Sequence, residues 1–222
     1  MLDDRILDLL ATSFWQILLP GLVITVPLAV VSFLLGLLLA VVCAVIRTAN
    51  VSVLSGLVRF YVWIFRGTPL LVQLFIVYYG LPYVGITLEA IPAAIATFSL
   101  NVGAYCCETL RGSIGSVPKG QLEAGLCSGL TYLQTMRRIV LPQAFRTAFP
   151  ALFNSFISLV KDTSLAANIT VAEMFLAAQQ IATRTYEPFW LYIEAAFIYL
   201  IFCTVLTQLQ AIGEKYLARY EH

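Results

Sequence analysis

Charge is scarce in this 222-residue chain, where Asp, Glu, Lys and Arg together make 11% of the sequence, against roughly 25% in an ordinary soluble domain. Hydrophobic residues make 60%, so the chain lacks the polar surface of a water-soluble globule and reads as an integral membrane protein. Histidine is nearly absent, with one at the last position, His222. The five cysteines, Cys43, Cys106, Cys107, Cys127 and Cys203, show no metal-type spacing. These shortages leave no parts for zinc chemistry or for Ser-His and Cys-His catalysis, and Cys106 and Cys107 stand as the obvious nucleophiles of a weak enzyme reading. No G-x-x-x-x-G-K-[ST] run occurs, so no P-loop binds nucleotide here. A formal net charge of +1 offers no surface for nucleic acid.

What is present is oil in long runs. At about 20 residues per crossing of a roughly 30 Å hydrocarbon core, the length allows about five helices and one polar excursion within a single membrane domain. The acidic start "MLDDRILDLL" and the long run behind it argue against a cleaved signal. The first crossing is expected over 22–46, followed by Arg47, Arg59 and Arg66 on the cytoplasmic side. The amino terminus is then outside. The second is expected to begin in "GTPLLVQLFIVYYGLP", with Thr68 capping and Pro69 in the first turn. The third, over 91–110, runs into Arg111, Lys119, Arg137, Arg138 and Arg146, the densest basic cluster. The fourth covers 148–169, an external stretch at 170–188 carries Glu173, Arg184 and Glu187, and the fifth covers 189–212, with a cytoplasmic carboxyl end at Lys215 and Arg219. The fold class is therefore all-α and membrane-integral.

The excursion is "EAGLCSGLTYLQTMRRIVLP", Glu123 to Pro142. Its pattern predicts a short helix over 121–129 ended by Gly129 in the left-handed conformation, then a second helix capped by Thr131 and broken at Pro142. Leu122 and Leu126 lie four apart on one side and Glu123 on another, giving an element apolar enough to dock and polar enough for water.

Two polar stripes run through the oil. Asn154, Ser158 and Asp162 recur at i, i+4 and i+8 with Lys161 beside them, and Thr97, Asn101, Tyr105 and Glu108 share a face of the third crossing. Ionisable groups at such depth mark a pathway or pair with one another. Glu108 with Arg111 reads as an i,i+3 ion pair. Gln73 reads as a hydrogen-bonding group toward a substrate or another helix. Lys161 and Asp162 admit three readings: substrate contacts, an internal pair holding the bundle, or the ion-coupling pair of a secondary transporter or channel.

The excursion resembles the "EAA" loop of ABC importer permeases, E-A-A, three residues, G, nine residues, I-x-L-P. Glu123, Ala124, Gly129, Ile139, Leu141 and Pro142 fall in register, and Gly125 replaces the second alanine. "FRGTPLLVQLF", "YCCETLRGSIGSVPKGQLEAG" and "LPQAFRTAFPALFNSFISLVKDTSL" are similar to the polar amino-acid uptake subfamily, over about Leu18 to Gln210. The resemblance implies a permease domain over 1–222 with a coupling loop at 119–142, in a bacterial plasma (inner) membrane. It implies two ATPase subunits that carry the ATP and Mg, an extracytoplasmic solute-binding protein and a second permease, either an identical copy or a paralogue, with no cofactor on this chain; the prevalence of symmetric homo-oligomers favours the identical copy. Leu122, Glu123, Ala124, Leu126 and Gly129 would couple to the ATPase, Glu123 by polar anchoring. Gly125 would loosen the first helix. A zwitterionic cargo would meet donors in Asn101, Ser158, Lys161 and Thr163 and acceptors in Asp162 and the Asn101 and Asn154 amides. "SLVKDTSLAA" is most similar to cystine-type permeases, ahead of glutamine, glutamate, histidine or arginine types.

Overall fold

The computed structural model describes residues 4–48 and 52–218, and the expected markers Arg219 and His222 lie outside them. Among the described residues every regular element is helical: α1 (Asp4–Thr48), α2 (Ser52–Gly67), α3 (Leu70–Val84), α4 (Ala90–Ser116), α5 (Lys119–Cys127), α6 (Tyr132–Ile169), α7 (Met174–Thr185) and α8 (Pro188–Ala218). Helices α1, α4 and α8 are each long and apolar enough to cross a membrane. The pairs α2 with α3, bent by 108°, and α6 with α7, bent by 51°, pass the same test together, so the spans number three to five.

Prolines account for several departures from the expected boundaries. The first crossing is not confined to 22–46, because α1 runs 45 residues straight through Pro20 and Pro27. Pro142 does not break its helix either. In three places the chain makes one wide turn immediately ahead of a proline: Val26 N–H donates to Gly21 O before Pro27, Leu81 N–H to Ile76 O before Pro82, and Leu141 N–H to Met136 O before Pro142. A proline ring clashes with the carbonyl four residues back and has no N–H to give. The i→i−5 turn shifts the ladder by one residue where that donor is missing, and the helix continues.

The main packing seam joins α1 to α4. It closes at Gly36, where a β-carbon would fall 2.8 Å from Ser99 O, and at Gly103, where one would meet Gly36 O at 3.1 Å. Small residues allow backbones this close, the usual means of helix association in lipid. Two apolar cores result. The larger joins the second half of α1 to α2, α4 and α6 through Ala40, Val58, Phe98, Val102 and Leu152. The smaller joins the first half of α1 to α7 and α8 through Ile17, Met174, Ile181, Leu191 and Ile198. Their connections are the wide turn Gly21–Thr25 and the elbow that follows Ile169.

The expected external stretch at 170–188 is largely helix α7, and Glu173 at its head is fully buried. Its Oε1 accepts the Leu176 N–H at 2.8 Å and caps the helix.

Candidate functional site: a polar cavity at a broken helix

A helix does begin where the second crossing is expected to, at Leu70, but a sharp break at Thr68 and Pro69 separates it from another helix just before it. Helix α2 ends at Gly67, the chain turns by 108°, and α3 begins at Leu70 after Pro69, whose ring disfavours a helical residue before it. Broken helix ends leave carbonyls without partners, which in hydrocarbon must be satisfied internally. Gln73 does this. Its Nε2 donates to Phe65 O at 2.9 Å, Thr68 O at 3.0 Å and Thr68 Oγ1 at 2.8 Å, while its Oε1 accepts from Asn101 Nδ2 at 2.9 Å. Thr68 therefore receives a side-chain amide and donates to Ile64 O instead of capping α3. Gln73 serves another helix.

Beside this break lies a cavity of about 420 Å³, within the range of small-molecule sites. Thr68, Pro69 and Leu70 line it from the break, Asn101, Val102 and Tyr105 from α4, and Asn154, Ser155, Ser158, Leu159 and Asp162 from α6. The structure thus brings Asn101, Asn154, Ser158 and Asp162 around one space. Among the described residues, no protein group hydrogen-bonds the side chains of Asn154, Ser158 or Asp162, so their polar atoms face the cavity unpaired. Asn154 and Asp162 are about 12 Å apart along α6 at 1.5 Å per residue, which separates amide and carboxylate along the cavity. The Arg66 guanidinium stands 5.3 Å from the centre of the ring of Tyr105, one of the lining residues.

Lys161 and Thr163 do not join them. Lys161 opens into a groove of about 570 Å³ on the other side of α6, with Tyr199 and Cys203 of α8, because consecutive helical positions point about 100° apart. It forms no salt bridge with Asp162 among the described residues, so the two side chains are not joined as a direct ion pair in this structure. Thr163 is buried and donates to Val160 O at 2.7 Å. Thr97 is likewise buried and turned to Ala93 O. Glu108 does pair with Arg111, at 2.8 Å, and also with Arg47 of α1, a partner that no spacing within one helix reveals. Tyr105 of the third-crossing stripe lines the cavity as well, while the broken-helix residues Thr68, Pro69 and Leu70, and Ser155, are cavity residues that the stripes alone do not single out; the "GTP" run inside an apolar segment is the available signal.

The polar excursion forms α5 and the start of α6. Gly129 takes φ +82°, its N–H donates to Leu126 O and the Leu130 N–H to Gly125 O, the paired bonds of a Schellman end. Thr131 then begins α6 in a capping box with Gln134. Glu123, Ala124 and Leu126 are exposed, Leu122 is half-buried, and Tyr132 and Leu133 add 54% and 75% exposed apolar side chains beside them. Gly125 is buried against Thr135 and Ile139, so the expected loosening of α5 is instead a close approach that alanine would obstruct.

Residues 32–218 match the model of the binding-protein-dependent transport system inner membrane component family. The chain is 50% identical over 214 residues to the L-cystine transport system permease protein TcyB of Bacillus subtilis, covering 96% of this chain and 92% of that one. It is 36% identical over 191 residues to the arginine transport system permease protein ArtQ of the same organism, covering 86% and 87%. Among solved structures it superimposes with a TM-score of 0.88 and 30% identity on a chain of an amino acid ABC transporter crystallised with histidines, over 97% and 99% of the two chains. A chain of the inward-facing MetNI methionine ABC transporter shares the fold, at a TM-score of 0.68 and 19% identity.

Proposed function

This chain belongs to the family of binding-protein-dependent transport system inner membrane components, and from that premise we propose that the cargo it moves is cystine. It is an integral membrane permease subunit of an amino-acid ABC importer, a transport subunit and not an enzyme. The single observation that carries the cargo is the 50% identity to a cystine permease over nearly the whole chain.

The cavity supports a zwitterionic cargo. Asp162 attracts an ammonium, and the Asn154 amide and Ser158 hydroxyl donate to a carboxylate at the other end. The cargo passes by alternating access, driven by ATP and Mg on a separate ATPase. The complete importer contains two such ATPases, a second copy of this permease and an extracytoplasmic solute-binding protein, in a bacterial plasma membrane. Leu122, Glu123, Ala124 and Leu126 of α5 form the ATPase-facing surface, and Gly129 fixes its orientation. The amino terminus lies outside and the carboxyl terminus in the cytoplasm.

The test is uptake of radiolabelled cystine, glutamine, glutamate, histidine and arginine by proteoliposomes holding the assembled importer, with and without internal ATP. Cystine uptake that requires both ATP and the binding protein is expected. Uptake of another amino acid with cystine excluded would overturn the cargo.

A further inference from the structure

We propose that Gln73 is a positioning residue for the cargo: it orients the Asn101 side-chain amide so that Asn101 shows the cavity an oxygen and no N–H, an acceptor for the cargo's ammonium. This rests on the reading that the cavity binds the cargo, and it gives a role in recognition to a buried residue that does not line the cavity.

The orientation starts at the broken helix. Phe65 O and Thr68 O are carbonyl oxygens that can only accept, so Gln73 turns its NH2 to them and shares those two protons with Thr68 Oγ1. The Gln73 oxygen is then left toward α4, where it can only accept. Asn101 meets it with its own NH2, which donates to Gln73 Oε1 at 2.9 Å and to Phe65 O at 3.3 Å. Both Asn101 protons are thereby committed away from the cargo. Its Oδ1 receives no protein donor among the described residues, and it is not one of the sealed polar atoms without a partner, which are Ser32 Oγ and Ser99 Oγ. Asn101 lines the cavity, so this oxygen is what it offers there. Thr68, beside it, gives its single proton to Ile64 O and brings no donor either. The sequence expectation that Asn101 donates to a carboxylate is therefore reversed.

The depth of Asn101 agrees with an ammonium. Gln143 near the start of α6 donates to Gln121 of α5, just past the end of α4, while Tyr79 near the end of α3, just before α4, donates to Asn168 O beyond Asp162. Helices α4 and α6 thus run antiparallel. Asn101 precedes Tyr105 on α4 and Asp162 follows Asn154 on α6, which puts Asn101 and Asp162 toward the same end of the cavity. That end carries a carboxylate and an amide oxygen, a pair of acceptors suited to the three donors of an ammonium. Supporting shells of this kind hold a binding group in its productive geometry.

The experiment titrates the complete importer in nanodiscs, without its solute-binding protein, by calorimetry with two halves of cystine chemistry: cystamine, which has the disulfide and two ammoniums, and 3,3′-dithiodipropionate, which has the disulfide and two carboxylates. The unmodified importer is expected to prefer cystamine. Asn101→Leu should weaken cystamine about tenfold and leave dithiodipropionate within about twofold, the scale of one hydrogen bond to a charged group. Gln73→Met, with Gln73→Leu in reserve should it not assemble, frees an Asn101 N–H and should narrow the preference about tenfold. Gln73→Glu keeps an acceptor for Asn101 and should keep the preference. Loss of dithiodipropionate binding in Asn101→Leu would make Asn101 a donor and overturn the proposal. Equal weakening of both compounds in Gln73→Met, or a preference lost in Gln73→Glu as well, would reduce Gln73 to a structural tie and overturn it too. Unchanged cystamine binding in Asp162→Asn would remove the cavity reading itself, and the positioning role with it.

Discussion

A β-carbon on Gly125 would stand 2.9 Å from Thr135 Oγ1, so α5 and the first turns of α6 approach at a distance only glycine permits. Thr135 is fully buried, with its hydroxyl donating to Thr131 O at 3.0 Å, and cannot simply swing aside. Gly125→Ala gains up to about 1 kcal/mol of helix propensity and meets an overpacking cost of about 1–3 kcal/mol. The expected result is a lower thermal midpoint and weaker ATP-dependent uptake, with both restored by Thr135→Ala in the same chain. A Gly125→Ala permease as stable and active as the original would mean that α5 stands farther from α6 than this.

Gln73 gives a second prediction. Gln73→Leu would leave Thr68 O without its side-chain donor and would leave Phe65 O and Asn101 Nδ2 only their own longer bond, at 3.3 Å. A loss of about 2 kcal/mol follows from the weakened cluster, to be read as a fall in the thermal midpoint in detergent and in recovery of folded protein by size exclusion. Gln73→Glu keeps the acceptor for Asn101 and loses the donors, so a smaller loss than Gln73→Leu separates the two halves of the interaction.

These two sites show how far sequence alone reaches. The long helices, the polar excursion with its ends at Gly129 and Thr131, and the stripe Asn154, Ser158, Asp162 follow from local periodicity and local capping, which are written within a few residues of one another. The fate of Pro27, Pro82 and Pro142 was not legible, because a proline forbids one hydrogen bond but does not say whether the helix stops or widens by one residue. Lys161 and Asp162 are neighbours in sequence, and only the positions of α4 and α8 decide that one faces a groove and the other a cavity. Glu173 read as surface charge because it follows an apolar span; its partners Thr25 and Tyr199 are 148 and 26 residues away.

Arg47, Glu108 and Arg111 make a third prediction. The Arg47 and Glu108 side chains are 17% and 19% exposed and Arg111 is 47% exposed, so the two ion pairs of Glu108 are unequal. Glu108→Gln strands the sheltered Arg47 charge and should cost about 2 kcal/mol, less than the roughly 3–5 kcal/mol of breaking a fully buried pair because both partners keep some solvent. Arg111→Ala should cost under about 1 kcal/mol, the scale of an exposed pair. Chemical or thermal unfolding of the purified permease ranks them, and equal losses would mean that Arg47 finds another partner.

The cysteines supply a test of the sidedness on which the coupling role of α5 depends. Cys43, Cys106 and Cys107 are buried and Cys203 is half-buried, while Cys127 at the end of α5 is exposed. A membrane-impermeant maleimide applied to a Cys203→Ser permease should therefore modify Cys127, and should do so in inside-out vesicles and not in right-side-out ones. Assembly with the ATPase should slow that modification, since Cys127 sits beside Leu126 on the exposed surface of α5. Labelling from the outside would place α5 away from ATP altogether, and then neither the exposed Leu126 and Leu133 nor the close fit at Gly125 would have an ATPase to meet.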